Sequence, residues 1–195
     1  MQTQTFVFFG IVGSGKGTQV KLLMDFLKNK DGKECEYAGT GEIYRKIVES
    51  PYDENAKILK DAMNKGKLMP DDFTDKLVRD TLDQFSPEKH WFFDGYPRTI
   101  PQSEHFEDSM KEKKRENIQI IYIELSKEEA MKRNLLRGRM DDTKEGLEKR
   151  FEEYEKKVIP AMNHFKDKKG YMIYTINGEQ AVENVFKDII KALEY

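Results

Sequence analysis

Residues 10–18 read GIVGSGKGT, with glycines at 10, 13, 15 and 17 and a lysine at 16, directly behind the apolar run at Thr5–Phe9. A strand ending at Gly10, followed by a helix carrying Gln19, Val20, Leu22, Leu23, Phe26 and Leu27, leaves backbone N–H groups free to turn inward between them. The positive end of the new helix dipole adds to that cradle, so the segment suits an anion. Lys16 would reach terminal phosphates, and a hydroxyl on Thr18 or Ser14 could serve the phosphate or a metal. The common spelling of such loops ends in Gly-Lys-Ser/Thr, whereas here Gly17 takes the last place. A flexible turn is the competing reading.

Four further stretches carry groups of the same kind. In WFFDGYPRTIPQ (91–102) an apolar strand delivers Asp94 to its carboxyl end, where a carboxylate could hold a metal's water shell. Gly95 lets the chain turn, Pro97 stiffens it, and Arg98 can aim a planar fork at phosphate oxygens. In AGTGEIYRKI (38–47) a strand end runs into a helix, with Thr40, Gly41 and, one turn on, Arg45. GKLMPDD (66–72) reads as a loop with a helix start, Leu68 and Met69 being ordinary core side chains. Arg133, Arg137, Arg139 and Arg150 form a set; the first two share a helix face, which costs a few tenths of a kcal/mol in repulsion unless a polyanion fills the gap. Taken singly, each arginine is a solvated surface group.

Elements that would position these groups are visible as β-rich runs at Thr5–Gly10, Cys35–Gly39, His90–Asp94, Ile118–Leu125 and Tyr171–Ile176, with helical patterns between them. Adjacent apolar residues in the first, third and fourth suit strands covered on both faces. Ser126 and Glu129 offer a capping box. Leu147, Phe151, Tyr154 and Val158 keep helical spacing, as do Val182, Val185, Phe186, Ile189 and Ile190. Alternation of this kind implies an α/β fold with a parallel sheet and helices on both faces, and ligands at the carboxyl ends of its strands. Three of the polar motifs fall just there.

The chain has 195 residues and a formal net charge of −2, which suits one domain and argues against a nucleic-acid partner. A single cysteine, Cys35, excludes an intramolecular disulfide and a cysteine-rich zinc site, and reads as a small core residue. His90, His105 and His164 have no ligand spacing and carry no assigned chemistry. The run KEKKRE (Lys111–Glu116) reads as a solvated surface turn. Neither a signal peptide nor a membrane span is visible, so no membrane partner and a cytoplasmic location are expected.

Jointly the motifs resemble the adenylate kinase family of nucleoside monophosphate kinases, over essentially the whole chain. GIVGSGKGTQ is similar to that family's phosphate loop, whose lysine is followed by Gly-Thr. WFFDGYPRTIPQ matches the family signature throughout, and TGEIYR, GKLMPDD, RNLLRGR, RMDDTKEGLEKR and INGEQAV follow in family order. The resemblance implies a P-loop NTPase three-layer fold with a five-stranded parallel sheet. It also implies a core (about 1–38, 71–137 and 143–195), a nucleoside-monophosphate-binding segment (about 39–70) and a minimal lid (about 138–142). The activity implied is Mg²⁺-dependent, reversible transfer of the terminal phosphate of ATP to AMP, giving two ADP, by a monomer.

Carried over by residue, Gly13, Ser14, Gly15, Lys16, Gly17 and Thr18 would hold the ATP phosphates, with Lys16 on the transferred group. Arg133 would lie by the ATP adenine, Arg137 on its phosphates, and the Gln180 backbone at that adenine. Thr40, Arg45, Lys67, Leu68, Met69, Gly95, Tyr96, Pro97, Arg98 and Gln102 match the AMP site, with Arg45 and Arg98 on the AMP phosphate. Arg139 and Arg150 match arginines that bridge the two phosphate chains, and Asp94 would orient waters around Mg²⁺. This chain departs from the pattern at Val12, where the family carries proline, at Glu42, which replaces aspartate, and in the lid. Only Gly138, Arg139 and Met140 separate Arg137 from the Asp141-Asp142 pair, so water exclusion is expected to be poorer or supplied by other segments. A UMP/CMP kinase on the same scaffold is the nearest alternative, with Thr40 favouring AMP. A P-loop regulatory module is the alternative from another class, and no guanine-binding Asn/Thr-Lys-x-Asp is present to make it a GTPase.

Overall fold

The computed structural model describes residues 2–50, 55–138 and 142–195. Five strands, β1 (Thr5–Phe9), β2 (Cys35–Gly39), β3 (His90–Asp94), β4 (Ile118–Glu124) and β5 (Tyr171–Asn177), form one sheet in the order β2-β3-β1-β4-β5. All four pairings are parallel. Parallel neighbours require a crossover, and the helices that make them bury the sheet on both faces.

Alternation along β1 shows the division. Phe6 and Phe8 point into a core shared with Val20, Leu23 and Leu27 of α1 (Lys16–Asp31) and Val185 and Ile189 of α9 (Val182–Ala192). Val7 and Phe9 point the other way, toward Val78 and Leu82 of α4 (Asp71–Leu82), Phe106 and Met110 of α5 (Ile100–Glu112) and Met162 of α8 (Ile159–Asn163). Two shorter helices, α2 (Thr40–Glu49) and α3 (Ala56–Asn64), close a small apolar cluster of their own around Tyr44, Leu59 and Met69. The remaining helices are α6 (Lys127–Arg137) and α7 (Lys144–Glu153), and between α7 and α8 lies a single π-helical turn, Tyr154–Val158. The regular spacing read through Tyr154 and Val158 therefore gives way to a wider turn.

Two expectations are corrected. The capping box at Ser126 is only half formed. Its hydroxyl accepts the Glu129 N–H, but Glu179 takes the Ser126 N–H and the Glu129 carboxylate turns to Arg133. A tertiary acceptor has displaced the local one.

The run at Lys111–Glu116 is not wholly solvated either, because Arg115 is buried. All five of its N–H donors are used: on the hydroxyls of Thr5 and Thr3 and on the carbonyls of Pro87, Gln4 and Lys89, at 2.8–3.2 Å. The guanidinium lies 4.4 Å from the Trp91 ring centroid. Burial without a carboxylate partner pulls its pKa down to about 10. A cation is retained there because its planar fork satisfies two chain segments at once, residues 3–5 and 87–89.

The three histidines likewise have structural roles. Nδ1 of buried His90 accepts the Gln4 N–H, so the ring proton sits on Nε2 and faces Asp31 at 3.2 Å. Burial holds this imidazole below its ordinary pKa, opposed by Asp31. His105 bonds Asp75 and His164 bonds Glu107.

Two outcomes follow. Arg115→Ala leaves several buried acceptors without donors and lowers stability in urea unfolding by about 3 kcal/mol or more. Because His90 has a depressed folded-state pKa, its contribution is complete above the unfolded value of about 6.5 and declines as pH falls toward the folded one. The loss of stability between pH 7 and 5 is accordingly shallower in His90→Gln than in the parent, read as urea midpoints.

Candidate active site

The carboxyl ends of β1, β2 and β3 open into a cleft of about 670 Å³. Strand β1 is fully buried, and the chain leaving it turns through Ile11–Ser14, where the Ser14 N–H bonds the Ile11 carbonyl at 3.1 Å. Gly13 takes φ +89° within that turn, a conformation side chains rarely adopt. Helix α1 then starts behind Gly15 with no side-chain cap and no acid in its first turn. Its amino-terminal N–H groups and dipole therefore face the cleft without a competing carboxylate.

Lys16 curls back over this loop and donates to the carbonyls of Gly10 (2.7 Å) and Ile11 (3.1 Å). Burial lowers its pKa to about 8; Asp94 opposes that shift, and Arg98 and Arg137 add to it. The ammonium is thus held among cations, where an incoming polyanion would favour its charged form. Asp94, at the end of β3, lines the cleft beside Lys16 and Gly17. Its Oδ2 lies 3.4 Å from the Tyr37 hydroxyl, whose ring crosses Gly39 so closely that a Cβ there would sit 2.3 Å from the hydroxyl oxygen.

After Asp94 the chain folds into a braced loop. The Gly95 carbonyl accepts from Thr40 Oγ1 (2.7 Å) and Arg98 Nε (2.6 Å), and the Arg98 N–H bonds Gln102 Oε1 (2.8 Å). Helix α4 supports the loop with two carboxylates one turn apart. Asp71 accepts from Thr99 and Gln102, and Asp75 accepts from the Tyr96 hydroxyl at 2.7 Å and bonds His105.

On the far side, α6 brings Arg133 and Arg137 to the cleft, and α7 brings Arg150. The sequence suggests an arginine set without acids, and the fold supplies them. Glu129 accepts from Arg133 Nε at 2.8 Å, while buried Asp142 receives Nε and Nη2 of Arg137 at 2.9–3.0 Å and Arg150 Nη1 at 3.4 Å. Arg150 also donates to the Met63 carbonyl of α3.

Of the residues singled out in the sequence, Gly13, Gly15, Lys16, Gly17, Thr18, Arg133, Arg137 and Arg150 line this one cleft, as do Arg45, Lys67, Leu68, Met69, Asp94, Gly95, Pro97 and Arg98. Five others do not line it. The Ser14 hydroxyl is buried beneath the loop without a hydrogen-bond partner, and Thr40 is wholly buried on Gly95. Tyr96 is packed edge-on against Phe106 with its hydroxyl on Asp75, and Gln102 is buried among its braces. The Gln180 side chain bonds Asp188 and the Asn177 carbonyl. Arg139 and the centre of the expected lid lie outside the described residues. Cleft residues not legible beforehand include Asn134, Tyr37, Glu153, Tyr154 and Val158. Among these only Asn134, a polar residue on the buried stripe of α6, left a usable signal.

The family model of adenylate kinase matches residues 8–170. This chain belongs to the adenylate kinase family. Proteins named adenylate kinase from Prochlorococcus marinus and Bacteroides fragilis are each 32% identical to it, covering 94% of both chains in the first case and 96% and 97% in the second. One from Caldanaerobacter subterraneus is 30% identical over 96% of this chain and 95% of its own. The five-stranded sheet and its phosphate loop are the P-loop NTPase fold of that family, and the chain is a nucleoside monophosphate phosphotransferase. No described helix is long and apolar enough to cross a membrane.

With a pKa near 8 against about 10.4 for ordinary lysines, Lys16 becomes nucleophilic at lower pH than an ordinary lysine side chain. Mass-spectrometric mapping after limited acylation at pH 8 should place it ahead of the exposed lysines, and a nucleoside triphosphate should suppress the reaction. Equal labelling of all lysines would contradict the lowered pKa that burial gives Lys16.

Proposed function

We propose that the cleft aligns ATP on the phosphate loop with AMP on the loops after β2 and β3, and that the terminal phosphate passes between them to give two ADP. One observation carries this reading. The order β2-β3-β1-β4-β5 places the Arg45 and Arg98 loops on one side of the phosphate loop and the α6 arginines on the other, all lining one cleft. Two phosphate chains, with about six negative charges between them at neutral pH, need charge of that scale on both flanks.

In this reading Gly13–Thr18 and Lys16 hold the ATP phosphates, and Arg137 neutralises them. Arg133 and the Gln180 backbone flank the adenine. Arg45 and Arg98 take the AMP phosphate, Lys67–Met69 and Pro97 border that nucleotide, and Arg150 with Arg139 bridges the two chains. Thr40, Tyr96 and Gln102 act through the brace on Gly95–Arg98. An oxygen of the AMP phosphate attacks the terminal phosphorus, and the bond to the bridging oxygen of the departing ADP breaks. The attacking oxygen is already anionic, so no general base is called for, and catalysis rests on alignment and charge stabilisation.

The donor set also suits Mg²⁺. Among the described residues no cluster of three His, Cys, Asp or Glu could hold a metal by itself. Asp94 is the described carboxylate beside Lys16 and Gly17, which fits an ion that keeps its waters and binds mainly through substrate phosphates. When bound with ATP, Mg²⁺ supplies further neutralisation of the phosphate oxygens. The segment at about 39–70, with its own apolar cluster, is proposed as the AMP-binding unit, and the chain is proposed to act as a cytoplasmic monomer.

A coupled assay of ADP formation from ATP with AMP, CMP, UMP and GMP tests the assignment. AMP is the preferred acceptor, and Lys16→Met lowers kcat by about 10²-fold or more. Preference for CMP or UMP would transfer the chain to the pyrimidine branch. An absence of transfer, unaltered by Lys16→Met, would leave a binding module.

A further inference from the structure

Asn134 is completely buried at the boundary between α6 and the phosphate loop. Its Nδ2 donates to the Val12 carbonyl at 2.9 Å and to the Ala130 carbonyl at 2.7 Å, and its Oδ1 accepts from Arg137 Nη2 at 2.6 Å. Both amide protons and the carbonyl are therefore engaged. The approach depends on Gly13, because a Cβ at that position would lie 2.4 Å from Asn134 Nδ2.

The partner chosen matters more than the number of bonds. Val12 and Gly13 are the two central residues of the Ile11–Ser14 turn, closed by the Ser14 N–H on the Ile11 carbonyl. The positive φ of Gly13 makes the turn type II. Types I and II differ by a flip of the central peptide, the Val12–Gly13 unit. In a planar trans peptide the C=O and N–H point in opposite directions, so tying the Val12 carbonyl to Asn134 also sets where the Gly13 N–H points. That direction is away from Asn134 and α6. Proline is favoured at the second position of such turns; Val12 lacks that restraint, and the Asn134 amide supplies another.

We propose that Asn134 is a positioning residue for phosphoryl transfer. It locks the central peptide of the phosphate-loop turn so that the Gly13 N–H faces the ATP phosphates, and it holds Arg137 against the same loop. The inference rests on reading this loop as the ATP site.

The test measures ATP and AMP dissociation constants by titration calorimetry, together with both KM values and kcat, for Asn134→Leu and the isosteric Asn134→Asp. Aspartate keeps an acceptor for Arg137 but cannot donate to Val12, and it serves if the leucine variant does not fold. Both variants should bind ATP about tenfold more weakly, with AMP affinity changed by less than about twofold. Adding Val12→Pro to either should recover part of the ATP affinity, because proline restrains the same turn by other means. A purely structural role would lower the melting temperature without separating the two nucleotides. ATP affinity within about twofold of the parent, an equal loss for AMP, or no recovery with Val12→Pro overturns the inference while parental transfer activity stands. Loss of the ATP-site reading itself would instead show as a parent in which Lys16→Met changes nothing.

Discussion

Strand β1 lies at the centre of a parallel sheet with both faces buried, and α1 must pack back on that sheet only six residues after it ends. So short a reversal cannot satisfy all the backbone donors it exposes. They gather at the uncapped start of α1, where no acid competes for them. Everything else in the cleft is arranged around this knot of unsatisfied N–H groups. Lys16 bends over it onto the Gly10 and Ile11 carbonyls, and Asn134 pins its outer carbonyl. On one side of β1, β3 and then β2 bring Asp94 and the β2 loop to the same level.

Concentrating positive charge in a cleft carries a cost in stability, and the fold limits it locally. Asp142 receives a two-pronged contact from Arg137 and a longer one from Arg150, so arginines from two helices share one buried carboxylate. Glu129 does the same for Arg133 at helical i, i+4 spacing. Such pairs hold guanidinium groups in fixed positions at the wall of the cleft. Lys16, which has no described carboxylate partner at bonding distance, meets the charge problem instead by a lowered pKa.

Much of this was legible in the residues. Every strand lies within a residue or so of its β-rich run, and in β1, β3 and β4 burial on both faces demands nearly unbroken hydrophobic segments. The phosphate loop and the Asp94–Gln102 segment are contiguous, so their chemistry is written in local spacing. What escaped depends on partners distant in the chain. Arg115 sits in a run of charges that looks solvated, and only the convergence of residues 3–5 with 87–91 makes it a core donor. Glu179 competes with Glu129 for Ser126 across fifty residues. Thr40 and Tyr96, which the family pattern suggests as nucleotide contacts, spend their hydroxyls on Gly95 and Asp75.

By itself the sequence determined the order of strands and helices, the phosphate loop and the inventory of cations, because periodicity, glycine placement and residue charge act over a few positions. Tertiary structure alone decided which of those cations meet, which carboxylates steady them, and how the valine at position 12 is accommodated. A side-chain amide from α6, more than a hundred residues away, sets the direction of a peptide in the loop. No local pattern encodes such a bond, since it exists only once the sheet has brought α6 against the carboxyl end of β1.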